Sequence, residues 1–318
     1  MKLNAAFMLF AVSALVACGG QEGDQAPSVD TGMPAPELAA GPPTWDEAAQ
    51  ASYSGIAETP VELSGGKWEG EPWVEGGASR PAAGLVTDFR LTGDLNGDGA
   101  EEAVFLLWSS SGGSGTFDYL AVLGRDANGL AAALATAALG DRVKVRSADI
   151  VEGRIVLEVL QAGPEDAACC PGQKFKRIFA LEGGAMNEVS SEDQGRFSVN
   201  DLAGNWRLTH FGRDEEVPQG IDINLRFEGD RIEGVAACNN YSGAVIEGES
   251  PGELYVAGPI ALTRKMCPPP SMEAEQRYLG MLQNIERFSF VAGRLLLSWR
   301  SEEPGGGSGV LLYSKSGD

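Results

Sequence analysis

Positive charge is scarce in this chain of 318 residues: 24 Lys and Arg stand against 45 Asp and Glu, a formal charge of −21. Nucleic-acid binding draws its affinity from basic side chains that displace counterions from phosphate, so the balance argues against that class of partner. It argues equally against electrostatic attachment to anionic lipid headgroups. Histidine is almost missing. His210 is the single copy, so a Ser-His-Asp hydrolase would have to use it. It ends a strand-like segment beside Phe211, which is the setting of a structural side chain. The N-terminal apolar run, Ala5 to Val12, is too short to span a bilayer. Glycine, by contrast, is abundant at 43 copies, which suits tight turns and hairpins better than long helices. The length suggests about two domains plus tails, with an ordinary hydrophobic share that can form a sizeable core in each.

Lys2, the apolar run and then Leu15-Val16-Ala17-Cys18 follow one another at the N-terminus. This order resembles a bacterial lipobox, which implies a signal peptide over 1–17, cleavage before Cys18 and diacylglycerol transfer to its sulfur. Two or more acyl chains, such as palmitate, suffice for stable anchoring where one is marginal. Gly19 carries no acidic retention cue, which by analogy directs such a protein to the outer membrane, facing the periplasm. Residues 18–45 are rich in Gly, Pro, Ala and acidic side chains and read as a disordered tether.

The first folded region is expected over 46–186 and to be β-rich. Trp45 to Ala49 can open a short helix. Val61-Glu62-Leu63 and Lys67-Trp68-Glu69 flank Ser64-Gly65-Gly66 as a hairpin. Arg80 sits in a loop that it more plausibly braces than uses to hold a carboxylate. Leu85 to Leu91 and Ala103 to Trp108 read as strands, Leu130 to Leu139 fits helix or strand, and Val143 to Ile150, Arg154 to Leu160 and Lys174 to Leu181 alternate as strands. Between the first two lies Asp94-Leu95-Asn96-Gly97-Asp98-Gly99-Ala100-Glu101-Glu102. Asp94, Asn96 and Asp98 fall at positions 1, 3 and 5 of a calcium loop, Gly99 at 6 and Glu102 at 9. Position 12, where a bidentate Glu should close the shell, is Phe105. The loop is therefore similar to the short Asp-x-Asn-x-Asp-Gly loops of dockerin-like and integrin-like repeats, which makes Ca²⁺ a candidate ligand beside the alternative of an Asx turn bonding its own backbone. No other cofactor is required. The serines of Ser109 to Thr116 read as a flexible loop. Cys169 and Cys170 are adjacent and read as a staple, either joined to each other or paired elsewhere, with a redox switch as the sharper alternative. Zinc is disfavoured by the spacing.

Ser190 to Gly195 is polar and breaks the periodicity, so a linker is expected at 187–196 and a second domain over 197–318. That domain opens with Gly204-Asn205-Trp206-Arg207-Leu208. An alternating strand from Ile221 to Phe227, Cys238-Asn239-Asn240-Tyr241-Ser242-Gly243, Thr263-Arg264-Lys265-Met266-Cys267 and a helix with Glu273 and Glu275 follow in order. This succession resembles the META domain, the HslJ-like family. The resemblance implies a mainly β (α+β) protein whose C-terminal part is a partly open META-type β-barrel with one packed helix. It also implies a secreted or lipid-anchored envelope protein without established enzymatic activity, with stress tolerance as one setting. The similarity of the fold to secretin pilot proteins gives an alternative, a chaperone that captures a lipid or partner segment in the barrel groove.

From the residues themselves, Ser271 can cap the helix, and Tyr278, Leu279, Leu282 and Ile285 share one face. In an oxidising compartment Cys238 and Cys267 are expected to join, although four cysteines allow three pairings. Asn239, Asn240 and Tyr241 can line a ligand groove or serve turn formation and packing. The sequence thus points to a membrane-anchored, non-catalytic element that meets an unidentified envelope protein or lipid, with a weak calcium-dependent binding module as a further alternative.

Overall fold

The computed structural model describes residues 41–316 apart from 168, 302, 304 and 305. The expected signal peptide, Cys18 and most of the expected tether lie outside the described residues. Helix α1 (Trp45–Ala48) begins after Thr44, whose Oγ1 accepts from the Glu47 N–H at 3.3 Å while Glu47 Oε2 accepts from the Thr44 N–H at 2.8 Å. The exchange satisfies donors that a helix start leaves open. Arg125 also grips Glu47 with two nitrogens, at 2.8 and 2.9 Å. The Arg125 guanidinium, together with the Thr44 N–H, holds the Glu47 carboxyl down to about 2. A carboxyl depressed on folding contributes fully above its ordinary 4.5, and that contribution is lost as pH falls through the folded value. Urea midpoints followed from pH 5 downward should therefore fall less steeply in Arg125→Ala than in the native chain.

Strands β1 (Ser52–Tyr53) and β2 (Val61–Glu62) pair into a short ribbon. The next sheet runs in the order β3 (Lys67–Glu69), β4 (Ala82–Leu85), β6 (Glu102–Ser110), β7 (Phe117–Arg125) and β8 (Ala131–Asp141), with β5 (Leu91–Gly93) also on β6. Residues 102–107 of β6 are all buried, because both faces of the sheet are covered. Successive side chains of a strand point to opposite faces. Phe105 and Leu107 meet Ala48, Tyr53 and Val61 on one face. Val104 and Leu106 meet Val145, Ile155, Leu157 and Phe179 on the other. Those last residues belong to a four-stranded sheet, β9 (Lys144–Val151), β10 (Arg154–Gln161), β11 (Gln173–Glu182) and β12 (Ala185–Arg196).

Several local expectations change here. The strand expected from Leu85 to Leu91 is two short ones, separated by a turn in which Asp88 takes a φ of 60°. The expected hairpin around Ser64 shrinks to a bridge between Ser64 and Lys67, because β2 pairs with β1 and β3 with β4. The ambiguous alanine-rich segment is β8, fixed as strand by its ladder to β7. The expected linker at 187–196 is most of β12, hydrogen-bonded along β11. Every one of its residues is exposed. Backbone pairing, rather than apolar burial, holds this edge strand, so its hydropathy resembles a loop. Arg177 ties it inward, donating to both carboxyl oxygens of Glu188 at 2.9 and 2.8 Å and to the Leu139 carbonyl at 2.6 Å.

The C-terminal part is one antiparallel sheet of eight strands. Its order is β17 (Leu254–Leu262), β16 (Asn239–Glu247), β15 (Arg231–Ala236), β14 (Asn224–Glu228), β13 (Gly204–His210), β20 (Ser308–Lys315), β19 (Arg294–Arg300) and β18 (Ile285–Val291). The sheet curls into an open half-barrel. Helix α2 (Pro269–Gln283) lies over it and buries Glu275, Tyr278 and Leu282. The helix starts two residues before Ser271, with prolines in its first turn, so Ser271 is not its cap. Proline suits that place because the first N–H groups have no helical partner and φ is already set. Ile285 opens β18 instead of extending the helix face. Gln283 reaches from the helix to the outer strand, accepting from the Ile260 N–H at 3.3 Å and donating to the Gly258 carbonyl at 2.9 Å. These bonds occupy backbone groups that an edge strand otherwise presents to other chains.

The two parts meet through β9 and β18. The Gly293 N–H donates to the Val145 carbonyl at 3.0 Å, and Arg146 lies 4.9 Å from the centre of the Phe197 ring and 5.6 Å from that of Phe290. Lys174 pairs with Asp201 at 2.7 Å across the same contact.

Candidate functional site

Strands β15 and β16 are joined through Ala237 and Cys238, with Ala237 at a φ of 65°. This tight passage brings Cys238 against Cys267, which immediately precedes the helix-leading prolines. The two sulfurs lie at bonding distance, with Cα atoms 6.0 Å apart, within the ordinary span of a disulfide. Asn239 comes next and is buried. Its N–H donates to Glu275 Oε2 at 2.7 Å and its Nδ2 to Glu275 Oε1 at 3.1 Å. Nδ2 also reaches the Lys265 carbonyl at 3.2 Å, while Oδ1 accepts from the Lys265 N–H at 2.6 Å and the Thr263 hydroxyl at 2.8 Å. One side chain thereby fastens β16, the segment leading to Cys267 and helix α2.

Asn240, its neighbour, points outward, and Tyr241 points in again. The Tyr241 hydroxyl donates to the Asn224 carbonyl at 2.9 Å. Tyr278 sits 2.8 Å from that hydroxyl, and the Tyr313 hydroxyl donates to Tyr278 at 3.3 Å. Burial raises all three phenols, Tyr278 to about 12 and the other two well above their ordinary value. They stay protonated and form a chain of donors that ends on a backbone carbonyl. Asn239, Asn240 and Tyr241 therefore do not line a common groove: strand alternation sends the first and third into the core. The role of Glu275 was missed in the sequence, where it reads as a first-turn acid. Its spacing of three and seven residues from Tyr278 and Leu282 placed it on the buried helix face, and that was the available signal.

The residues from 200 to 305 match the model of one family, described as the META domain. The C-terminal part of the chain is a META domain. No curated protein matches the chain. One solved structure, titled "NMR structure of the protein from Burkholderia xenovorans", is 23% identical over 38% of this chain and 87% of its own, with a TM-score of 0.29.

Outside the META domain, the Asp94 loop closes on itself. Asp94 accepts from the Gly97 and Gly99 N–H groups at 2.7 and 3.1 Å, Asn96 from Asp98 N–H at 2.8 Å, and Asp98 from Ala100 N–H at 2.8 Å. Glu102 is buried and accepts from the Leu95 N–H and from Asn96 Nδ2. Its desolvation raises its carboxyl above the usual range. These are the bonds of Asx turns, and among the described residues no group of three or more His, Cys, Asp or Glu side chains is arranged to hold a metal ion.

Arg80 pairs with Glu69 at 3.3 Å, in keeping with a brace for its loop. His210 is half-buried, with Nδ1 3.0 Å from the Thr209 hydroxyl. Ser109 and Ser110 end β6, in a different sheet from His210 on β13. Cys169 and Cys170 are placed as a vicinal pair, Cα atoms 3.8 Å apart, on the loop between β10 and β11.

Proposed function

We propose that acyl chains on Cys18 hold this protein to the bacterial envelope, where it serves as a non-catalytic binding or structural element. A META domain fits a general envelope-associated role. The observation that carries the reading is the filled inner side of the curled sheet. Trp206, Phe227, Tyr278, Leu282, Leu297 and Tyr313 pack there in one core, and helix α2 covers it. Such an interior favours contact through the outer surface over capture of an acyl chain in a groove, as a pilot-like chaperone would require. Ile246 and Tyr255 stand opposite each other on the outer side of β16 and β17, 55% and 38% exposed, and suit a protein partner. A non-catalytic role agrees with a lone histidine bonded to Thr209 and with a tyrosine chain held in its protonated form. Gly19, which carries no acidic side chain after Cys18, favours an anchor in the outer membrane by analogy, and a part in stress tolerance follows the resemblance to the META family.

Metabolic labelling with a palmitate analogue, followed by membrane fractionation, tests the anchor. The native chain is expected to take the label and sediment with outer membranes, and Cys18→Ser to lose the label and move to the soluble fraction. An unlabelled native chain, or an equally labelled variant, rejects it.

A further inference from the structure

The loop between β10 and β11 carries Cys169 and Cys170 to the face of the META domain. Asp166 shapes it, accepting from the Gly163 N–H at 2.9 Å, the Gly172 N–H at 2.8 Å and Arg196 at 2.6 Å. Held this way, the two sulfurs have different surroundings. Cys169 is exposed and Cys170 half-buried. The Cys170 sulfur accepts from Arg287 Nη2 at 3.2 Å, an arginine of β18 that is itself fixed by the Pro251 carbonyl at 3.1 Å and by Glu253 at 3.7 Å. Beside them lies a cavity of about 490 Å³ lined also by Glu165, Arg196 and Glu249, a size that holds small ligands.

Thiol–disulfide exchange proceeds by attack of a thiolate on one sulfur while the other departs as thiolate, faster when the departing charge is better stabilised. Access selects the first sulfur, and a neighbouring cation stabilises the second. Here the accessible sulfur is Cys169, and the sulfur in contact with a guanidinium is Cys170. We propose that Cys169–Cys170 is a directional thiol–disulfide exchange site, in which an external dithiol attacks Cys169 and Cys170 is the leaving group. The attack forms a bond between the donor sulfur and Cys169 and breaks the Cys169–Cys170 bond, whose electron pair stays on Cys170. The donor's second thiolate then displaces Cys169 from the mixed disulfide, and Cys169 takes a proton from water. The donor is oxidised by two electrons and the pair reduced by two. Four carboxyl groups, of Glu165, Asp166, Glu249 and Glu253, also face this region. Asp166 is committed to Arg196 and Glu253 to Arg287, so direct contact with the leaving sulfur falls to the guanidinium. Cys238 is buried and Cys267 half-buried, so neither residue of the other pair is as open to the same reagent as Cys169.

Glutathione has one thiol, so the mixed disulfide is resolved only by a second glutathione or by return attack of Cys170, and an early acid quench traps it. The full chain is incubated with glutathione, quenched in acid, alkylated and mapped by peptide mass spectrometry. Glutathione is expected on Cys169, with Cys170 alkylated. Arg287→Gln should slow formation of that adduct roughly tenfold, as its leaving sulfur loses the cation. Adduct on Cys170, equal labelling of both, or exchange no faster than at Cys238–Cys267 overturns the proposal. The mapping on the native chain needs no substitution, so it stands even where Arg287→Gln loosens the contact with Pro251.

Discussion

Asn239→Ala is expected to cost the fold about 3 kcal/mol, read as a lower urea midpoint at an unchanged slope. The side chain is buried and makes bonds to Glu275, to both backbone groups of Lys265 and to the Thr263 hydroxyl. Lys265 and Thr263 are exposed, so water replaces much of what they lose. Glu275 is not so placed. It is 4% exposed, and truncation removes the donor to Oε1 and leaves it only the Asn239 N–H at Oε2. A buried polar group without its partner carries its desolvation cost undiminished, which is why this loss exceeds that of an average hydrogen bond. Asn240→Ala is the control, since that side chain points to solvent and its change should stay within about 0.5 kcal/mol. Equal midpoints for the two variants would mean that the lock between β16 and α2 is absent.

The second large effect is expected at the disulfide. Cys238 and Cys267 close a loop with a sequence separation of 29. In the chain-entropy model the restriction of the unfolded chain is worth about 3.5 kcal/mol, so replacing both residues by Ser should destabilise by that order. Reductant also reaches Cys169–Cys170, so the comparison belongs in a Cys169→Ser, Cys170→Ser background. There, reductant should lower the midpoint of the chain that retains Cys238 and Cys267 and leave the fully substituted one unchanged. The two predictions are coupled. Asn239 Nδ2 lies 3.5 Å from the Cys238 sulfur, and both residues hold the Lys265–Cys267 segment. The variant lacking all three should therefore lose less than the sum of the parts. Full additivity would indicate that the staple and the asparagine act on separate elements.

Much of the C-terminal part was legible because its signals are local and periodic. Leu225 and Phe227 alternate with polar neighbours, Gly293 ends a hairpin, and the cysteine-bearing segments follow one another in the order that the META domain match confirms. What misled was position relative to something distant. Residues 187–196 are polar because they form an edge whose support is the β11 backbone, and hydropathy does not report a ladder. Asp88 breaks an expected strand with a left-handed turn, a conformation that its residue type permits but does not announce.

Taken alone, the amino-acid order determined the β-rich character of both parts and the helix after Cys267, since period and turn residues act over a few residues, while it left Cys238 with three possible pairings. The tertiary structure alone decided that Glu275 belongs to Asn239 and that Arg287 stands against Cys170. Those pairs lie 36 and 117 residues apart in the chain, and only the closing of the sheet and the docking of β18 on the loop before β11 bring their atoms within reach.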